Sequence, residues 1–230
     1  MTDDPAVGVS RDGAVAVLTM QRPARYNALT LELKEALLAA LTDLSAADDV
    51  RALVLTGAGK AFCVGQDLGE HAEALRRDPA TAFDTVADHY NPIVRGLTEL
   101  PFPVVAAING ACVGAGLGFA LACDLRVAAA GTSFSTAFTG IGLTADSGLS
   151  ASLAHAVGVS RALELARRLA AGPTRAYAEV RRAVRYGATA HLDDVLAAEA
   201  LAQARLATTS DHVQAVAAFL EKRRPAFEGR

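Results

Sequence analysis

Short apolar runs separated by turn residues occupy roughly the first half of the chain, and helical spacing takes over in the second. Val15–Met20 (VAVLTM) is an apolar run closed by Arg22-Pro23 and predicts a strand. From Leu29 onward Leu33, Leu37, Leu41 and Leu44 recur every three or four positions, which predicts a helix with one inward face. Ala52–Leu55 predicts a short buried strand running into Gly57-Ala58-Gly59. Residues 69–90 are richer in charge, contain Asp78-Pro79, and read as loop with partial helix. Val94, Leu97 and Leu100 share a helical face that stops at Pro101. Pro103–Ile108 and Leu125–Ala128 predict a third and a fourth strand, and Ser133–Phe138 a candidate fifth. Between them, Gly114-Ala115-Gly116-Leu117-Gly118 opens an Ala/Leu-rich helix through Cys123. Gly140–Ser150 reads as loop, and from Leu153 nearly everything is helical in character, broken at Gly172-Pro173. Alternation early and helices late predict an α/β fold with a helical C-terminal part.

Composition narrows the function classes. With 230 residues, 52% of them hydrophobic and 20% charged, the chain can bury a large core as one domain. A formal net charge of −3 leaves nucleic-acid binding without an electrostatic footprint. No apolar run approaches the length of a membrane span. The acidic start, Met-Thr-Asp-Asp-Pro, does not resemble a secretory leader. Cys63, Cys112 and Cys123 are odd in number and lack CxxC spacing, so neither a zinc site nor a disulfide framework is expected, and a reducing cytoplasm fits best. The histidines 71, 89, 155, 191 and 212 show no metal-ligand spacing, and each is expected to be a surface or satisfied residue.

Two glycine segments invite phosphate chemistry and do not sustain it. Gly57-Ala58-Gly59-Lys60 has too few residues for a P-loop, and Ala61 stands where Ser or Thr is needed. Gly114-Ala115-Gly116-Leu117-Gly118 is GxGxG rather than GxGxxG, with no acidic partner in the right setting. What survives is a physical feature of the second segment. Small residues at a helix start leave backbone N–H groups uncovered where the helix dipole favours negative charge, the ingredients of an oxyanion hole. Close helix–strand packing through glycine explains the same residues.

Taken in order, four stretches resemble the motifs of the crotonase (enoyl-CoA hydratase/isomerase) superfamily: Arg22–Leu29 (RPARYNAL), Leu53–Leu68 (LVLTGAGKAFCVGQDL), Pro103–Gly110 (PVVAAING) with Gly114-Ala115-Gly116 and Ala120–Asp124, and the tail Ala218–Phe227 (AFLEKRRPAF). The resemblance covers nearly the whole chain. It implies a crotonase (ClpP-like) spiral of ββα units with a helical C-terminal region, divided as 1–152 for the spiral core with the CoA and acyl pocket and 153–230 for trimerisation and pocket closure. It further implies a homotrimer or dimer of trimers, an acyl-CoA thioester substrate, and no metal or redox cofactor, the coenzyme A being part of the substrate. The two amides that would bind the thioester oxygen fall on Gln66 and Ala115. Each such donor is worth roughly 3 kcal/mol toward a developing enolate. Arg25, Ala61, Cys63 and Leu68 match positions that line the CoA, and Phe219 and Lys222 match C-terminal residues that reach one. Asp67 and Asp124 are read as structural, bonding nearby backbone, and Cys63 as a packed thiol beside the oxyanion turn.

The same resemblance places the two glutamates of the family's hydratases at Gly118 and Phe138, neither of which transfers a proton. What remains is Asp146 in Ile141–Gly148 (IGLTADSG). In the branch resembling 1,2-epoxyphenylacetyl-CoA isomerase an aspartate there is the single acid/base, and Gly65–Leu68 and Tyr90–Arg95 resemble that branch too. One carboxylate suffices to lift a proton from one carbon and return it to another, or to rearrange an epoxide. Apolar neighbours are expected to raise its pKa. The plain alternative is an aspartate capping the helix that begins near Ser150. Ser147 lacks both a GxSxG frame and a paired histidine.

Two departures qualify the reading. Gly148-Leu149-Ser150 replaces the family's Gly-Gly-Thr, and Leu165 runs directly into Ala166 where relatives carry a few tens of residues closing one side of the acyl pocket. The leading expectation is therefore an isomerase. The alternatives are a hydratase using other groups, a catalytically silent acyl-CoA-binding homologue, and a hydrolase, for which no nucleophile–base pair is found.

Overall fold

Strand alternation builds the core. In the computed structural model, which describes residues 5–162 and 173–228, β1 (Val7–Asp12), β2 (Val15–Met20), β3 (Ala52–Gly57), β5 (Val104–Ile108) and β7 (Leu125–Ala128) form one sheet in the order β1-β2-β3-β5-β7. A smaller sheet has the order β4-β6-β8, from Ala61–Cys63, Ala111–Val113 and Phe134–Ser135. Beyond β1 and β2, successive strands go alternately to the two sheets, which is the ββα spiral expected. Pairing from β2 onward is parallel, with Leu18 opposite Leu55 and Leu55 opposite Ala106. Every second residue of β2, β3 and β5 is buried, including Leu18, Leu53, Leu55, Val104 and Ile108, as a sheet with one face on the core requires.

Helices fill the parallel crossovers. α1 (Leu31–Ser45) connects β2 to β3, buries Leu33, Leu37, Leu41 and Leu44, and is capped by Thr30, whose hydroxyl accepts from Leu33 N. α3 (Asn91–Glu99) precedes β5, and α4 (Ala115–Ala122) follows β6. These elements form one compact unit, comprising residues up to Gln66 and His89–Ser135.

The second unit comprises Asp67–Asp88 and the chain from Thr136 onward. It contains α2 (Leu68–Arg77), α5 (Leu149–Val157), α6 (Thr174–Gly187), α7 (Leu192–Ala207) and α8 (Ser210–Leu220). α5 and α6 pack backbone to backbone, since a Cβ on Gly187 would come within 2.7 Å of Ala151 Cα. The division expected after residue 152 falls inside α5 and within this unit.

Several elements differ from expectation for local reasons. β1 is mostly exposed, so its apolar pattern is weak; its hairpin partner β2 and the Asp12-Gly13 turn, with Gly13 at φ 56°, form it. β4 and β6 have only three residues each, too few for a periodic signal. The strand expected over Ser133–Phe138 shrinks to Phe134–Ser135, because Ala137 adopts φ 58° and leads into a 3₁₀ turn, Phe138–Ile141. Residues 68–77 are a full helix rather than part of a loop, capped by Asp67, whose Oδ1 accepts from Gly69 N and Glu70 N. The junction of Leu165 and Ala166 lies outside the described residues.

Candidate active site

The placement of Gln66 and Ala115 follows from the small sheet. β4 and β6 are parallel neighbours, Ala61 opposite Ala111 and Cys63 opposite Cys112, so the residues that leave their C-terminal ends do so side by side. Gly65 (φ 83°) lies against the following turn, and a Cβ there would sit 3.4 Å from Ala115 N. Gly114 adopts φ 57°, ψ −128°, a conformation that only glycine reaches without strain, and so starts α4 at Ala115. Gly116 packs against β4 so closely that a Cβ would be 2.6 Å from Cys63 O. The packing reading of the glycine segment is the observed one: glycine brings the helix start up to β4. Among the described residues, neither the Gln66 nor the Ala115 N–H donates to a protein acceptor. For Ala115 that is the ordinary condition of a first helical residue.

Gln66 is further anchored by its side chain. Its Oε1 accepts from the Tyr90 hydroxyl and lies 3.5 Å from Lys34 Nζ. Lys34 and Tyr90 are both buried, and the ammonium stands 5.4 Å from the Tyr90 ring centroid. The sequence assigned no part to this side chain, whereas the fold uses it to tie the 63–66 turn to α1. The segment before that turn, residues 58–62, is held by Asn27. Its Nδ2 faces Ala58 O, Ala61 O and Phe62 O at 2.9–3.1 Å, and its Oδ1 accepts from Arg22 N.

A separate group of candidate residues lies within the other unit. Asp146 is 4% exposed. Its Oδ2 accepts from Gln203 Nε2 at 2.8 Å and its Oδ1 from Ser147 Oγ at 2.8 Å. Ser147 and Gly148 both have positive φ, 57° and 68°, and for Ser147 that left-handed conformation costs on the order of 1 kcal/mol. The start of α5 takes a side-chain cap from a distant helix. That role belongs to Glu199 of α7, whose two oxygens accept from Gly148 N (2.7 Å) and Ser150 N (2.9 Å). Glu199 is fully buried, and burial pushes its pKa up to about 7, with the nearby Asp146 adding to the rise and the amide and Ser150 bonds opposing it.

Glu199 and Gln203 were missed from the sequence, although a signal existed. They stand at i and i+4 among Val195, Leu196, Ala202 and Leu206, polar residues on the buried stripe of an amphipathic helix. A small cavity, about 20 Å³, opens beside this loop and is walled by Phe138, Ala145, Leu149, Leu153, Val180 and Val184, with the Thr139 and Ser150 side chains also on it. Phe138 therefore contributes an apolar wall where the hydratase pattern would have a carboxylate.

The remaining expected residues fall as follows. Ala61 and Cys63 are fully buried. Burial pushes the Cys63 thiol up to about 12, and it receives the Gly65 N–H at 3.4 Å, a packed thiol beside the turn. Arg25 is exposed at the end of a 3₁₀ turn, Pro23–Arg25. Leu68 is half-buried at the start of α2. Phe219 is 56% exposed near the end of α8, and Lys222 is exposed just beyond it at φ 55°, where Arg223 N closes the helix end onto Ala218 O. Asp124 bonds Val104 N through Oδ2 at 2.7 Å, a backbone tie like that of Asp67. Of the histidines, His71 and His212 are buried and paired, Nε2 to Nε2 at 3.3 Å, with His212 Nδ1 on Ile141 O. Among the described residues no group of three or more His, Cys, Asp or Glu could hold a metal ion, and no helix is long and apolar enough to cross a membrane.

The comparisons with known proteins agree with this architecture. The family model for enoyl-CoA hydratase/isomerase matches residues 10–166. A Rhodobacter capsulatus protein named "Probable enoyl-CoA hydratase" is 37% identical over 94% of this chain and 95% of its own. The 1,2-epoxyphenylacetyl-CoA isomerase of Escherichia coli is 34% identical, with 94% and 95% covered. The solved structure of an enoyl-CoA hydratase from Mycobacterium avium subsp. paratuberculosis superposes with a TM-score of 0.74 at 27% identity, covering 97% of this chain and 98% of that one. The match to the Rhodobacter protein extends over 251 residues, more than the 230 present here, so this chain lacks residues within the matched region. Sequence match and spiral fold lead to one assignment: the chain belongs to the enoyl-CoA hydratase/isomerase family of the crotonase superfamily.

Proposed function

We propose that this protein is an acyl-CoA isomerase in which Asp146 is the single acid/base and the Gln66 and Ala115 amides hold the thioester oxygen. The observation that carries the proposal is the state of Asp146: a buried carboxylate, hydrogen-bonded on both oxygens, next to a strained Ser147-Gly148 turn, while positions 118 and 138 hold Gly and Phe. Strain retained at one turn is a mark of a functional site. In the proposed reaction Asp146 takes a proton from carbon 2 of a 3-enoyl-CoA. The negative charge moves onto the thioester oxygen, where the two amides stabilise it. The same carboxylic acid then delivers the proton to carbon 4, leaving the conjugated 2-enoyl-CoA. No water and no second carboxylate are consumed. Rearrangement of an epoxide on an acyl-CoA is the second reaction class, supported by the relation to the Escherichia coli isomerase.

In this reading Arg25, Ala61, Cys63, Leu68, Phe219 and Lys222 contribute to CoA binding, and coenzyme A enters only as part of the substrate. The working form is a cytoplasmic homotrimer or dimer of trimers. Hydration is the competing reading, favoured by the hydratase names among relatives. Asp146→Asn tests the proposal: double-bond migration is abolished while acyl-CoA binding persists. Retained migration would remove Asp146 from the mechanism. Loss of the conjugated absorbance of crotonyl-CoA, faster than 3-enoyl-CoA isomerisation, would establish the hydratase instead.

A further inference from the structure

The geometry points to Gln203 as a positioning residue for Asp146, with Glu199, one turn earlier on the same face of α7, holding the backbone of the loop that carries that carboxylate. The inference rests on the proposed role of Asp146 and goes beyond it, because no motif marks either residue.

Three observations support it. Gln203 is fully buried, and its Nε2 donates to Asp146 Oδ2 at 2.8 Å from a helix 57 positions away in sequence. Ser147 Oγ donates to the other oxygen, so both donors select the ionised, proton-accepting form of the carboxylate. Glu199 binds Gly148 N and Ser150 N, which fixes the loop on the far side of Asp146. One helix face thus holds the side chain through Gln203 and its supporting backbone through Glu199. Gln203 Oε1 is buried and has no hydrogen-bond partner among the described residues. Turning the amide over would aim that oxygen at the carboxylate, which only a protonated Asp146 could satisfy.

The reading separates Gln203 from a filler of the core. A donor to an ionised carboxylate lowers its pKa, and removing the donor raises it. Glu199 also faces Asp146 and is ionisable, so its titration is followed in parallel through Glu199→Gln.

The test uses the full chain with its Asp carboxyl carbons ¹³C-labelled. The Asp146 signal, identified by its absence in Asp146→Asn, is titrated in the parent protein, Gln203→Leu and Gln203→Met, alongside kcat and KM for 3-enoyl-CoA isomerisation. In Gln203→Leu the Asp146 titration and the acid limb of kcat move up by about one pH unit, kcat falls about tenfold, and KM stays within about twofold. Gln203→Met, which keeps the side-chain length and removes the donor, shifts the Asp146 titration in the same direction. An unshifted Asp146 titration in folded Gln203→Leu overturns the inference. Should Gln203→Leu fail to fold, an unshifted Asp146 titration in folded Gln203→Met overturns it equally. A shifted titration in a protein without isomerase turnover leaves the inference standing and removes the proposed function, and full turnover in Asp146→Asn does the same. Loss of turnover in Asp146→Asn with no shift in Gln203→Leu removes the inference alone.

Discussion

The hydroxyl of Tyr90 donates to the side-chain oxygen of Gln66, the residue whose backbone N–H is proposed to bind the substrate's thioester oxygen. The contact converts a side chain of no chemical consequence into an anchor for an amide. Lys34 shares the same oxygen at a longer 3.5 Å, so loss of the phenol leaves Gln66 partly held. Tyr90→Phe is accordingly expected to lower kcat/KM about fivefold, the value of one net hydrogen bond of about 1 kcal/mol, with only a small change in Tm. Steady-state kinetics beside a thermal melt measures both. An unchanged kcat/KM would show that the amide needs no such anchor.

Asn27 is expected to matter for stability rather than turnover. It is fully buried at φ 56°, where Asn is tolerated better than most residues, and its amide donates to carbonyls of residues 58, 61 and 62. Asn27→Ala strands those carbonyls and puts a Cβ-only residue in the left-handed region. The expected cost is about 3 kcal/mol, a fall in Tm of about 10 °C. Differential scanning calorimetry reads it directly; a drop of a degree or two would mean that water replaces the amide at no cost.

Glu199 gives the fold a pH dependence. Its folded pKa is raised, from an ordinary 4.5 to about 7, so the native state holds this proton more tightly than the unfolded chain does. The resulting stabilisation is full below about pH 4.5 and is lost as pH rises through about 7, amounting to about 3 kcal/mol. Urea unfolding at pH 5 and pH 8 is expected to show the parent protein losing stability over that interval, with the loss largely absent in Glu199→Gln. Equal pH dependence in the two proteins would assign it to other groups.

The spiral core was legible from the sequence because its signals are local. Val15–Met20, Ala52–Leu55 and Pro103–Ile108 are apolar runs between turn residues, and α1 carries its four leucines at helical spacing. Such patterns arise from backbone geometry and burial of one face, which a few neighbouring residues suffice to encode. The ordered motifs added the family, and with it the glycines that only a close approach explains: Gly65 and Gly116 are small because the turn after β4 and the start of α4 touch there.

What only the tertiary structure decided is where partners far apart in sequence meet. Asp146 reads alone as a helix cap, yet α7 supplies Glu199 to the amides at the start of α5 and Gln203 to the aspartate itself. His71 and His212 look scattered, and the packing of α2 and α8 makes them a pair. Gln66, Tyr90 and Lys34 become one cluster only after α1, α3 and the end of β4 come together. A single hydrogen bond between distant residues leaves no periodic trace along the chain. It forms because the hydrophobic core has already placed two helices side by side, and the polar group then either finds its partner there or remains buried at a cost of one to three kcal/mol, roughly, per unsatisfied atom.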